Sequence, residues 1–410
     1  MKESQNHEAL ELANEAGKIL LENGAQISRV EDTMQRIARH YGADNGNFFV
    51  LSNGIIATGE GYSKAQYIPL RSASLDKVVE VNQISRDVAD KNLSLSQLRE
   101  KLTAIRNMKP KPKWEQIMGS AFGAGFFSMI FGGSLYDSLV SFVAGLLLYV
   151  FIVYVGNKYL SRIFVNISGG FIAAAICILA YHLGAGDNLG NMIIGAIIPL
   201  VPGIPFTNGI RDIANEDYLA GITRLLDAFM IFLCIALGVI FAFVVDGVIM
   251  DGIIPLNGMS TDAITAKIWW QLAAAFFGTA AFSILFGTPR KHYLYCGLAG
   301  AMGWLVYLSA FRLGGSPAEA TVFGSMAVLI VSRVFAVLRR CPVTVYLICG
   351  IFPLVPGGGL FWTSYYLVAG QTHLALSSGF LSIKITVAIA FGIVLIEEIM
   401  RHLPYLSKSK

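Results

Sequence analysis

Asp227 and Lys384 are ionisable side chains set inside apolar runs of about twenty residues, the length that crosses a bilayer. A charge at that depth costs roughly 2.5 to 3.5 kcal/mol unless it is paired or wetted, so such residues mark proton relays and ion paths. Each lies downstream of the same pentapeptide, Pro199-Leu-Val-Pro-Gly203 in one case and Pro353-Leu-Val-Pro-Gly357 in the other. Asp227 and Lys384 are therefore expected to approach one another or share a cavity, with Asp227 as the proton-titrating carboxylate. A permanent buried ion pair or snorkelling to the interface is the alternative, and Arg224, one turn away, is an equal candidate partner for Asp227. The pentapeptides themselves suggest a binding site, a wet pocket at which the two breaks are expected to converge. Two prolines three apart remove backbone donors, and the freed groups are tolerated in a membrane only where protein or a water-filled cavity satisfies them. Pro199, Gly203, Thr207, Asn208, Arg211 and Asp212 around the first element, with Pro353, Gly357, Thr363 and Ser364 around the second, are the candidate substrate contacts. Arg211 and Asp212 fit a cytoplasmic loop equally well.

These residues need helices to position them. The pentapeptides stand 154 positions apart, and Trp114–Gly132 laid on Trp269–Gly287 gives eight identities in nineteen, so the chain carries two homologous halves. Hydropathy predicts ten spans, near 116–133, 138–156, 163–183, 190–206 and 222–246, then 268–287, 293–311, 318–338, 343–361 and 379–399. Five spans per half is an odd number, so two halves of like plan enter the membrane from opposite sides as an inverted-topology repeat. The loops agree. Lys158, Arg162, Arg211, Arg290, Lys291, Arg339 and Arg340 fall on one side with both termini, and Asp137, Asp187, Asp246, Asp251, Asp262 and Glu319 fall on the other with only Lys267 and Arg312 among them, which places both ends in the cytoplasm. The expected organisation is a cytoplasmic α/β domain with a basic linker over 1–113, a first repeat over 114–250, an extracytoplasmic connector over 251–266, and a second repeat with a short tail over 267–410.

Charge density separates the first part from the rest, with 30 charged residues in positions 1–113 and 28 in the remaining 297. Helical spacing of Leu10, Ala13, Ala16 and Leu20 predicts a first helix to Gly24, and Ser28 with Glu31 predicts a capping box for a second. Strands are expected at 48–52, 55–58 and 66–70, the first two joined by Asn53-Gly54, and helices at 75–90 and 95–106, the last capped by Ser94 with Gln97. Arg29, Glu31, Asp32, Arg36 and Arg39 fit a ligand site or, as the alternation of charge favours, a solvated helix face. The five cysteines form no Cys-x-x-Cys pair, which argues against a zinc site or a disulfide framework. No phosphate-cradling glycine loop is present, so nucleotide hydrolysis is not the energy source. No cofactor, metal or nucleic-acid partner is expected, nor a cleaved signal peptide.

The stretch Glu22-Asn-Gly-Ala-Gln-Ile-Ser-Arg-Val-Glu31, the Asn53-Gly54-Ile hairpin and the paired pentapeptides together resemble the threonine/serine exporter family over nearly the whole chain. In that family a soluble domain precedes five spans and a shorter five-span half follows, fused as here or split into two subunits associated with succinate export. The resemblance implies a non-enzymatic secondary transporter of the inner or plasma membrane that moves small polar metabolites outward on the proton motive force. Threonine or serine export by proton antiport is the leading expectation, with Asn208 or Arg211 for the carboxylate and Asp227 for the ammonium. Dicarboxylate efflux through Arg211 and Lys384 is the runner-up. A channel or a membrane-anchored sensor comes from another class, and homo-oligomerisation is left open.

Overall fold

The structure is a computed structural model that describes residues 2–69, 74–250, 252, 254, 256 and 268–401. The charged first part folds as helices α1 (Lys2–Glu22) and α2 (Ile27–His40), an antiparallel meander of β1 (Asn47–Leu51), β2 (Gly54–Gly59) and β3 (Tyr62–Tyr67), and helices α3 (Leu75–Lys91) and α4 (Leu95–Arg106). Ala13, Ala16 and Leu20 of α1 meet Val30, Met34 and Ile37 of α2 and Val78 and Val81 of α3 in one core. The Ser94–Gln97 capping box forms as expected. Other local expectations shift. Helix α2 starts at Ile27 behind Gln26, and Glu31, freed from any capping role, accepts the Val50 N–H at 3.0 Å and ties the helix to β1. The first hairpin turns at Ser52-Asn53, because Gly54 already pairs with Leu51. Strand β3 begins at Tyr62, four residues early, because Gly61 at φ +67° supplies the left-handed backbone for a second tight turn. Arg29 and Glu31 are half-buried while Asp32, Arg36 and Arg39 are exposed, so only part of the polar face of α2 is solvated.

The apolar remainder is helical: α5 (Lys113–Ile130), α6 (Leu135–Phe151, running through a π-turn to Tyr159), α7 (Arg162–His182), α8 (Leu189–Ile197), α9 (Gly203–Ala214) and α10 (Tyr218–Ile249), then α11 (Ile268–Leu285), α12 (Tyr293–Arg312), α13 (Pro317–Arg339), α14 (Val343–Gly350), α15 (Gly357–Val368) and α16 (Thr372–Arg401). Among the described residues seven helices are long and apolar enough to cross a membrane, and the bent pairs α8–α9 (67°) and α14–α15 (44°) raise the number to nine. Helix α5, with Lys113 and Glu115 in its first turn, is not among them. The protein is thus a polytopic helical membrane protein. Most of the connector expected at 251–266 lies outside the described residues, as does the tail beyond residue 401.

The duplication is carried into packing. Contacts of α5 with α6 and α8 recur as α11 with α12 and α14, and those of α10 with α7 and α9 recur as α16 with α13 and α15. The two sets interlock, since α10 lies on α15, α16 lies on α9, and α5 lies on α11. The last contact is self-complementary: a Cβ on Gly123 would run into Phe282, and one on Gly278 into Phe127. Glycine at both positions gives the two rings room to close to 4.9 Å, with the tighter demand at Gly123. Likewise the Tyr149 hydroxyl donates to Gln116 (3.4 Å) and the Trp304 indole to Gln271 (3.3 Å), at matching positions of the two parts. Reciprocal pairs of this kind are the mark of an isologous interface, here inside one chain. The N-terminal domain docks on both sets: Leu75 and Asp76 N–H groups donate to the Phe286 and Gly287 carbonyls at 2.9 Å, and Ala220 of α10 joins the domain core.

Candidate functional site

Both breaks adopt one local conformation. A 3-10 turn (Ile198–Leu200 or Phe352–Leu354) leads into an extended valine, and Pro202 (φ −80°, ψ 64°) or Pro356 (φ −75°, ψ 51°) then makes an inverse γ-turn. That turn is closed by Gly203 N–H to Val201 carbonyl (2.9 Å) in one case and Gly357 N–H to Val355 carbonyl (2.7 Å) in the other. Proline requires this, since neither Pro199 nor Pro353 has a donor for the preceding helical turn. The breaks then meet. Gly203 sits against Phe352 and Gly357 against Ile198, and Ile198 and Phe352 are themselves equivalent positions. The expected convergence is present. The expected wet pocket around it is not, because Phe127, Phe206, Phe232, Phe282 and Phe352 with Val201 and Val355 fill the junction with apolar side chains.

Polar groups lie instead at the end of the junction beneath the N-terminal domain. Arg211 donates from Nε to Glu397 Oε1 (2.8 Å) and from Nη1 to Thr344 Oγ1 (3.0 Å), joining α9 to α16 and α14. Arg224 of α10 pairs with Asp212 Oδ2 at 2.6 Å, and Asp212 Oδ1 accepts the Ile27 N–H at 3.2 Å. Relative exposures of 7% for Arg211, 0% for Asp212, 3% for Arg224 and 7% for Glu397 decide against a loop placement of Arg211 and Asp212. The turn between α1 and α2 caps this end: Asn208 Nδ2 donates to the Gly24 carbonyl (2.7 Å) and Arg224 Nη2 to the Ala25 carbonyl (3.0 Å). Behind it Arg29 donates to Asn82 Oδ1 (3.0 Å), and burial, followed by the nearby Arg211 charge, holds the Arg29 guanidinium down at about 10. Thr207 Oγ1 and Asn208 Oδ1 are buried without a hydrogen-bond partner.

The opposite end has the same backbone and different chemistry. A shift of 154 positions carries Thr207, Asn208, Arg211 and Asp212 onto Phe361, Trp362, Tyr365 and Tyr366, and carries Phe243 onto Glu397. Where one end has the Arg211–Glu397 pair, the other has the Tyr365 and Phe243 rings at 5.4 Å, edge to face. Tyr365 also donates to the Ile254 carbonyl (3.0 Å) and accepts the Leu256 N–H (2.8 Å), so connector residues cap this end as the α1–α2 turn caps the first. Trp362 Nε1 is buried without a partner, matching the unspent Asn208 oxygen. Thr363 spends its hydroxyl on the Gly359 carbonyl (2.7 Å), and Ser364 is buried.

The Asp227–Lys384 pair does not form. Helix α10 packs on α7, α9 and α15, whereas α16 packs on α13, α15 and α9. Asp227 is paired with Arg162 of α7 at 3.1 Å, in a lateral groove of about 360 Å³ that also holds Asn166 and Thr223, and Lys384 is exposed. The fifth helices are interleaved with the partner half's broken helix instead of touching each other, so equivalence of position did not imply contact. Glu397 and Thr344 are not among the residues expected from the sequence, and of the aromatic end Tyr365 alone follows the second break as a polar candidate. The signal available for Glu397 was an acid inside the last apolar run.

A family model described as putative threonine/serine exporter matches residues 11–245, and a second, described as Threonine/Serine exporter, ThrE, matches residues 271–399. The threonine/serine exporter of Corynebacterium glutamicum is 22% identical over 414 residues, covering 98% of this chain and 84% of that protein. The probable threonine/serine exporter of Mycobacterium tuberculosis is 21% identical over 403 residues, 90% of this chain and 74% of its own. The probable succinate transporter subunit YjjP of Klebsiella aerogenes is 23% identical over 250 residues, 60% of this chain and 96% of the subunit. No solved structure matches.

Proposed function

The chain belongs to the threonine/serine exporter family, and from that premise we propose that it exports a small hydroxy amino acid, threonine or serine, across the plasma membrane by proton antiport. One observation carries this reading: two proline-glycine breaks of like local conformation in reciprocal contact, flanked by ends of opposite chemistry. In this reading α5–α10 and α11–α16 are inverted five-span repeats, with α5 and each bent pair counted as spans. The segment 1–113 and both termini are then cytoplasmic, with repeats over 114–250 and 267–410 joined by an outer connector at 251–266. The ion-paired end is the inner gate and the aromatic end the outer one.

A zwitterion suits the inner gate because it carries both charges needed to replace the protein's own pairs. Its carboxylate competes with Glu397 for Arg211, and its ammonium competes with Arg224 for Asp212. The side-chain hydroxyl meets the unspent oxygens of Thr207 and Asn208. Displacement of both pairs unlatches α9 from α16 and α10, which is a differential interaction of the kind a ligand must have to shift a conformational equilibrium. Proton exchange falls to the released carboxylates, Asp212 and Glu397, rather than to Asp227 beside Arg162. The second reading, export of a dicarboxylate, is supported by the similarity to a succinate transporter subunit. It would use Arg211 and Arg224, since Lys384 stands away from the junction.

Reconstituted protein loaded with labelled threonine, serine or succinate, with and without an imposed pH gradient, tests both readings. Threonine or serine flux that rises with the gradient and is lost in Asp212→Asn is expected. Flux of succinate alone selects the second reading, and flux indifferent to the gradient refutes proton coupling.

A further inference from the structure

A groove of about 670 Å³ opens on the lateral surface where α5 meets α11. Its walls are Met118, Phe122, Phe126, Phe277, Ala281 and Ile284, and the Phe126 and Phe277 rings stack at 5.5 Å across the seam between the two halves. Phe122 and Phe277 are exposed. The volume falls within the range of about 300–1,000 Å³ that holds a small apolar ligand. At the end nearest the N-terminal domain the lining changes character: Glu115 is paired with Arg290, Arg290 stays largely exposed, and Tyr293 closes the floor with a buried hydroxyl that has no hydrogen-bond partner. Lys111 stands over the Tyr293 ring at 5.7 Å and Lys113 over Tyr154 at 4.6 Å, and Lys109 and Lys291, adjacent in sequence to these elements, are exposed. Glu115 and Asp76, whose charges both reach the Tyr293 hydroxyl, offset two of the cations, and Lys111, Lys113 and Arg290 outnumber them, which leaves the mouth of the groove basic.

An occupant must therefore be apolar along most of its length and anionic at one end, with an acceptor for the Tyr293 hydroxyl. We propose that this groove is a binding site for one anionic phospholipid of the leaflet on the N-terminal domain's side. Its acyl chain lies along the phenylalanine wall and its phosphate sits among Lys111, Arg290 and Tyr293. Basic pockets between transmembrane helices recognise lipid phosphates by this combination of charge and hydrogen bonding. A zwitterionic lipid has the same chains and would bring an ammonium into a basic mouth, so charge makes the choice. Because the groove lies along the α5–α11 seam, a seated lipid braces the contact at which the two halves meet.

Native mass spectrometry of the full-length protein, offered equimolar dioleoyl phosphatidylglycerol and dioleoyl phosphatidylcholine, tests this with identical chains. One phosphatidylglycerol should survive delipidation in preference to phosphatidylcholine. Lys111→Gln should lower that preference about fivefold, the value of one basic group near an anionic surface. Ala281→Phe should abolish retention by filling the groove, with Met118→Trp as a second filling variant if the first does not fold. Arg290 is left intact because its removal would strand Glu115. Equal retention of the two lipids, undiminished retention in a folded filled variant, or a dimer that Ala281→Phe dissociates would each overturn the proposal.

Discussion

Removing the Arg211 guanidinium should unlatch the end of the junction that the N-terminal domain covers. The charges of Arg211 and Glu397 stand 2.8 Å apart, which at an effective dielectric near 20 is worth about 6 kcal/mol of attraction. Most of that is offset by desolvation. The cost of leaving a buried partner alone is about 3–5 kcal/mol. If the pair exists only while this end is closed, Arg211→Ala moves the closed-to-open ratio by roughly 150- to 5,000-fold, enough to change which state predominates. Cys341 is a built-in reporter. It is buried against Leu75 and Val345 at this end, and burial pushes its thiol up to about 12, so alkylation of the closed state is slow. With the other four cysteines replaced, Arg211→Ala should speed maleimide labelling of Cys341 more than tenfold. The charge swap Arg211→Glu with Glu397→Arg should bring it back toward the parent rate. An unchanged labelling rate in Arg211→Ala, or a swap as reactive as the single variant, would refute the gating role.

Gly203→Val should abolish flux by driving a side chain into Phe352, at an overpacking cost of about 1–3 kcal/mol; adding Phe352→Ala should recover part of the flux in the same liposome assay. Asp227→Asn should leave flux within about twofold of wild type and change stability by under about 1 kcal/mol, because its Arg162 pair is partly exposed; a loss of transport would return Asp227 to the coupling role. Burial, opposed by the Val50 N–H and reinforced by Asp217, Asp32 and Asp212, holds the Glu31 carboxyl above its ordinary value. The folded state then keeps that proton more tightly than the unfolded chain. The Glu31 contribution is therefore full below the unfolded value of about 4.3 and is lost as pH rises through the folded one. Melting temperatures of wild type and Glu31→Gln should accordingly diverge in favour of Gln as pH rises from 4 to neutrality, and parallel curves would contradict the assignment.

Much of this protein is legible along the chain because its determinants are local. Uninterrupted apolar runs dictate helices in lipid whatever surrounds them, and paired prolines abolish backbone donors in any context, so seven membrane-length helices and the two breaks could be placed from residue type and spacing, against an expected count of ten spans. Identity at an offset of 154 or 155 made the duplication visible, and Gly123, Gly278, Gln116 and Gln271 keep it in the packing. Partner choice was not local. Which carboxylate met which guanidinium depended on how the halves interlocked: Asp227 turned to α7, Arg224 turned back to Asp212, and Arg211 reached Glu397 across 186 positions. The Ser28–Glu31 box failed for the same reason, since Val50 offered Glu31 a better-placed donor from a strand the helix had not yet met in sequence. The contrast between an ion-paired and an aromatic end was written in the residues as Arg211 against Tyr365 and Glu397 against Phe243. It became a contrast between the two ends of one junction only when folding carried those positions there, because electrostatic and packing energies act through space and fall off with distance, not with separation along the chain.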